Sequence, residues 1–259
     1  MNVLTTRVVL RERTLSEVFD LAFRFVVVLG GRKYLRLWLV ACVPWLGLCI
    51  WMRRQQLDWG LIWATAFTGF VVAQIPFTLA ASRLLLGDQL SLGSLARAWL
   101  PRIPGQLLMH AVVLIVMAST SFVVFPLLFL AARFLYLPEI TLLEGSGLFR
   151  AYERGTRITR QRLAHAFETC FLLMTVWAAF VLGAEVTGRA VQTDLLSFPA
   201  PADALATGGS WFALCGFFAA VPFIVTARFL AYIDGRTRRE AWDVQLRFTE
   251  LAESPRGGA

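Results

Sequence analysis

Between Arg102 and Arg133 the chain runs for 30 residues without a formal charge. Other apolar runs near 20 residues long flank it. A helix of about 20 residues spans a hydrocarbon core of about 30 Å. The composition agrees, since 58% of the 259 residues are hydrophobic and 21 are Phe, above the share of ordinary soluble domains. The sequence therefore predicts an all-α fold, a polytopic membrane helical bundle forming a single membrane domain over residues 1–259.

Six transmembrane helices can be drawn. The first covers about Leu35 to Met52 and the second about Leu61 to Leu86. The third and fourth share Ile103 to Leu143, the fifth covers about Phe167 to Thr187, and the sixth about Trp211 to Ile233. One helix over the uncharged run would be about 45 Å long, too long to cross without a steep tilt. Two helices require a tight turn near Ser119 to Ser121, and charge prefers two. With six spans, 22 of the 25 Lys and Arg fall on one side, and only Arg53, Arg54 and Arg189 fall on the other. The basic side is the cytoplasmic one by the positive-inside rule, so both termini are expected in the cytoplasm. No removable signal peptide is visible in Met1 to Arg13.

A pattern recurs where apolar runs meet charge. Pro76 precedes Arg83, Pro126 precedes Arg133, and Pro222 precedes Arg228, each by six or seven residues. An amphipathic segment stands before each odd-numbered span. Thr14 to Leu29 places Leu15, Val18, Phe19, Ala22, Phe23 and Val26 on one helical face, and Thr14 with Glu17 has capping-box spacing. Ser91 to Arg102 and Ser146 to Arg157 are the similar segments. Together these define a pseudo-threefold repeat with three interfacial amphipathic helices. The units cover about 14–86, 91–137 and 146–233, followed by a cytoplasmic tail, 234–259. A helix packed against the other spans is the alternative for Thr14 to Leu29.

The stretch from Pro138 to Gly145, PEITLLEG, followed by Arg150-Ala151, resembles a bacterial integral-membrane family. That family takes its name from the membrane domain beside some glycerophosphodiester phosphodiesterases. The chain is similar too to inner-membrane proteins of the YciC type. Arg13 to Glu17, Tyr232 to Arg236 with Asp234, and then Arg239, Glu240 and Asp243 fit the same pattern. The resemblance implies a membrane domain without an activity of its own, and no phosphodiesterase barrel is expected within these 259 residues. It singles out Glu144, Asp234, Arg236, Arg239 and Glu240 as motif residues.

Catalytic signatures are missing. The chain has only His110 and His165, and no HExxH, GxSxG, P-loop or dinucleotide fingerprint. No metal or cofactor is expected. His165 and Glu168 are read as an interfacial pair, and Cys42, Cys49, Cys170 and Cys215 as small buried hydrophobes. Gln74 is placed to bridge helices and Glu185 to pair with Arg189. Three small-residue pairs, Gly69/Ala73, Ala179/Gly183 and Gly216/Ala220, are read as sites of close helix packing. The net charge of +8 points to anionic lipid rather than nucleic acid, because the arginines sit beside apolar runs. Arg83, Arg133 and Arg228 are candidate lipid-phosphate ligands, with snorkelling or pairing to Glu139, Glu144 or Asp234 as the alternative. The expectation is a non-catalytic membrane protein that organises anionic lipid or a membrane protein partner through its basic face. A transporter component for a lipid-like or small-molecule substrate is the runner-up, and a lipid-modifying membrane enzyme the third.

Overall fold

The computed structural model describes residues 14–87, 91–120, 124–160, 163–199 and 204–240, with backbone alone at 124–128, 205 and 238–240. Arg13, Asp243 and the tail beyond residue 240 lie outside the described residues. So do the side chains of Pro126, Arg239 and Glu240.

Every regular element described is helical. The order is α1 (Leu15–Arg24), α2 (Gly31–Ala41), α3 (Val43–Arg54), α4 (Trp59–Leu85), α5 (Leu92–Trp99) and α6 (Ile103–Thr120). Then come α7 (Val124–Phe134), α8 (Leu137–Glu144), α9 (Leu148–Arg160), α10 (Leu163–Ala190), α11 (Ala204–Thr207) and α12 (Trp211–Glu240). Five segments are long and apolar enough to cross a membrane: Leu15–Arg54, Trp59–Leu85, Leu92–Thr120, Leu163–Leu195 and Trp211–Thr237. Large apolar side chains such as Leu39, Phe67, Ile115, Phe171 and Val186 cover their outer faces. This is the architecture of a multi-pass membrane protein.

α4 and α12 form the centre. Most of their apolar windows is buried within the protein, 61% and 78%, against 11% for Leu92–Thr120 and 17% for Leu163–Leu195. The two central helices run the same way, because Trp59 meets Trp211 at their starts, with ring centroids 6.4 Å apart. Lower down, Gln74 meets Arg228. α10 returns antiparallel to α12. Gly216 makes that packing close, since a Cβ there would sit 2.4 Å from the Phe180 carbonyl oxygen. Trp177 of α10 closes an aromatic cluster, 4.7 Å from Phe70 and 4.9 Å from Phe217. In lipid such packing takes over the role that the hydrophobic effect has in water.

Helix starts follow the expected chemistry. Thr14 N donates to Glu17 Oε2 at 3.0 Å, and Glu17 N donates to Thr14 Oγ1 at 3.4 Å, completing the capping box. Asp58 caps α4 through Gly60 N at 2.7 Å. The first helical stretch breaks at Gly31, whose φ of 40° suits glycine. α1 packs on α12, with Phe19 5.9 Å from Phe223. Val18, Ala22 and Phe25 point inward, while Phe23 is 56% exposed and leaves the face assigned to it from the sequence. The helix-packed alternative is thus the one observed for the inner face of α1.

Both interior prolines have a defined partner arrangement. Pro76 and Pro222 lie inside α4 and α12. Each lacks the N–H that would bond the carbonyl four residues back, Val72 or Phe218. Trp99 Nε1 donates to the Val72 carbonyl at 3.0 Å, and Trp38 Nε1 donates to the Phe218 carbonyl at 2.8 Å. A neighbouring indole therefore satisfies each carbonyl that a proline orphans.

Candidate functional site

The interior holds one connected polar chain. Arg228 on α12 donates from Nε to Glu139 Oε1 at 2.6 Å and from Nη2 to Gln74 Oε1 at 2.6 Å. Gln74 Nε2 lies 3.0 Å from His110 Nε2, and His110 Nδ1 lies 2.9 Å from the Gln106 carbonyl oxygen. That carbonyl only accepts, so Nδ1 carries the ring proton and Nε2 accepts from Gln74. The Gln74 amide is then fixed as well, because Arg228 can only donate. Gln106 Nε2 donates onward to Thr141 Oγ1 at 2.8 Å. α8, α12, α4 and α6 are tied together by this chain. Glu139 is fully buried, and its Oε2 has no partner among the described residues.

A second cluster lies where α8, α9 and α12 meet. The Glu144 carboxylate accepts from Tyr232 Oη at 2.6 Å and sits 2.8 Å from Arg154 Nε and 3.7 Å from Arg236 Nη1. Gly145 ends α8 in the left-handed conformation, with φ 62°. Ser146 and Gly147 then lead into α9. Around Glu144 opens a cleft of about 500 Å³, lined by Ser146, Arg150, Glu153, Arg154, Arg157 and Arg236 as well. Four guanidinium groups face two carboxylates there, so the cleft is net cationic.

The three arginines of the recurring pattern occupy three different environments. Arg83 donates from Nη1 to Ser94 Oγ at 2.6 Å, at the junction of α4 and α5. Arg133 lies over the Phe129 ring, 4.3 Å from its centroid. Arg228 is 9% exposed and held by Glu139. The expected lipid-phosphate role therefore does not extend to Arg228, whose guanidinium is engaged inside the bundle. Equivalence of the three sites fails for the same reason. Of the motif residues, Glu144 and Arg236 come together in the cleft, and Asp234 is buried in α12 two residues before Arg236.

Other expected pairs are present. Arg189 Nε donates to Glu185 Oε1 at 2.6 Å, and Ser210 Oγ donates to the other oxygen of the same carboxylate. His165 Nδ1 is 3.9 Å from Glu168 Oε2. Gln74 does bridge helices. Cys42 and Cys49 are buried, but Cys170 is half-buried and Cys215 is exposed, so the reading of four buried cysteines holds for two. Ala179 and Gly183 line an open apolar groove of about 600 Å³ with Cys215 and Gly216. A Cβ on Gly183 would meet nothing within 4 Å, so that position is not one of close helix contact.

Sequence reasoning missed the carboxylate cluster on Glu144 and the two indole caps. Their partners lie 10 to 180 residues away, and only the spacing Pro-minus-four hinted at an orphaned carbonyl needing a donor. Comparison of the chain with protein-family models, with curated proteins and with solved structures gives no match.

Proposed function

We propose that this chain is a non-catalytic integral protein of a bacterial inner membrane that organises anionic lipid, or a membrane protein partner, through its basic face. The observation carrying this reading is the net cationic cleft around Glu144, with Arg150 and Arg157 exposed at its rim. A cleft of this kind, beside apolar helices, suits an anionic headgroup. The resemblance of Pro138 to Gly145 and of Tyr232 to Arg236 to the inner-membrane family described above supports the same assignment.

The proposal includes six crossings in three related units, with both termini cytoplasmic. α7 alone is about 16 Å long, too short to cross, but α7 and α8 together supply about 29 Å of helix on either side of a turn at 135–136. α7 packs against α6, which supports a hairpin. Arg53 stacks over Trp59 at 5.1 Å, and Glu185 and Ser210 gather at the same end of the bundle. The Arg-rich α9 joins α12 at the opposite end, near Arg236. Reporter fusions after Arg162 and after Arg247 are expected to be cytoplasmic, and a periplasmic signal at the first site overturns the six-span reading. The lipid reading is tested by the lipid that copurifies with the protein: phosphatidylglycerol should be enriched over its share in the membrane, and Arg150→Glu with Arg157→Glu should abolish the enrichment.

A transporter is the second reading, and the buried chain from Glu139 to His110 favours it, because polar groups among spans are functional candidates. The net cationic cleft around Glu144 is the observation that keeps the lipid reading ahead.

A further inference from the structure

The cationic cleft has an apolar neighbour. A mostly apolar groove of about 310 Å³ lies beside the contact of α6 with α8, lined by Gly105, Leu108, Met109, Leu142 and Leu148, with Gln106 in its wall and Arg102 at the start of α6. Ser146 lines both the groove and the cleft. It sits in the connection between α8 and α9, where the Ala151 N–H bonds the Gly147 carbonyl at 2.9 Å and α9 begins. The free N–H groups of a first helical turn favour negative charge at that point.

Two buried atoms at this junction lack partners. Ser146 Oγ and Gln106 Oε1 have no hydrogen bond among the described residues, and Gln106 is only 3% exposed. Buried polar atoms in native proteins are nearly always satisfied, so these two point to a ligand or its waters. The groove itself opens sideways past Leu108, which is 68% exposed. A soluble anion would use the arginines and Ser146 but has no use for an apolar groove. A lipid has both parts.

We infer that cleft and groove together bind one anionic phospholipid, with its phosphate on Arg150 and Arg157 and one acyl chain in the groove. Ser146 donates to the phosphate or to an ester oxygen, and Gln106 meets the glycerol level. This rests on the lipid-organising reading above and adds the ligand class and its pose.

The test uses the full chain in detergent micelles, with native mass spectrometry to count retained lipid. Phosphatidylglycerol and phosphatidylcholine of the same chain length are the probes, and inorganic phosphate is the soluble competitor. Arg150→Gln with Arg157→Gln should lower phosphatidylglycerol retention by about tenfold or more, the loss of charge-assisted hydrogen bonds. Gly105→Leu adds a side chain at the groove wall, where a Cβ meets nothing within 4 Å. It should lower phosphatidylglycerol retention by a similar factor, while stabilisation by inorganic phosphate and the helical circular dichroism stay as in the wild type. Wild-type retention in the Gly105→Leu protein, or full displacement of the lipid by millimolar inorganic phosphate, overturns the two-part pose. Equal retention of phosphatidylglycerol and phosphatidylcholine by the wild type overturns the underlying lipid reading instead.

Discussion

Replacing Trp38 by Phe removes the N–H that caps the Phe218 carbonyl, four residues before Pro222. Phe218 is fully buried, so no water can take over. Interhelical hydrogen bonds in membrane proteins contribute about 0.6 kcal/mol on average and up to about 1.7. Loss of indole volume adds a packing cost, for a total of about 2 kcal/mol. In a Pro222→Ala background the new amide N–H at 222 can reach the same carbonyl from within the helix. There Trp38→Phe should cost only its packing share, and the double-mutant cycle should give a coupling of about 1 kcal/mol. Equilibrium unfolding in dodecyl maltoside micelles titrated with SDS measures all four proteins. A coupling below about 0.5 kcal/mol, the usual tolerance for independent sites, refutes the capping argument. The same cycle on Trp99 and Pro76, joined through the Val72 carbonyl, is an independent repeat.

Arg228→Gln and Glu139→Gln should each destabilise the protein by about 3–5 kcal/mol, because each leaves an uncompensated buried charge; the double substitution should recover part of that loss in the same SDS titration. Val18→Asp should detach α1 from α12, since Val18 is 2% exposed, whereas Phe23→Ser should leave the unfolding curve within about 0.5 kcal/mol of the wild type. Glu144→Gln should loosen the junction of α8, α9 and α12, seen as faster hydrogen exchange at the start of α9. Spin labels at Asp20 should remain mobile, and labels at Ala22, which is fully buried, should be immobilised.

Much of the architecture was legible because lipid imposes simple rules on a sequence. The uncharged runs located the long helices, Thr14 and Glu17 marked the start of α1, and Glu185 with Arg189 needed only helical spacing to be found. The first helical stretch was harder. The helical stretch from Leu15 to Arg54 breaks at Gly31, and Phe23 lies at the edge of the apolar stripe of α1, so periodicity alone placed it on the inner face although it is exposed. The polar interior was legible in part of its wiring. Pairing with Glu139 was the alternative for the repeat arginines and Arg228 takes it, but separations of 36 to 154 residues give no sign that Gln74 and His110 join the same chain. The symmetry of the Pro-to-Arg pattern also misled. Similar spacing suggested three equivalent arginines, while each found a different neighbour: a hydroxyl, a ring and a carboxylate.

The position of α12 has a consequence for biogenesis. Among the described long helices the most buried one, α12, comes after the others in chain order. Until it inserts, the inward face of α4 borders lipid, Gln74 lacks its cation, and Glu139 waits as an acid with no counter-ion. The earlier spans therefore meet their polar partner only after α12 has been made, because Arg228 supplies the one group that bonds both Glu139 and Gln74 among the described residues.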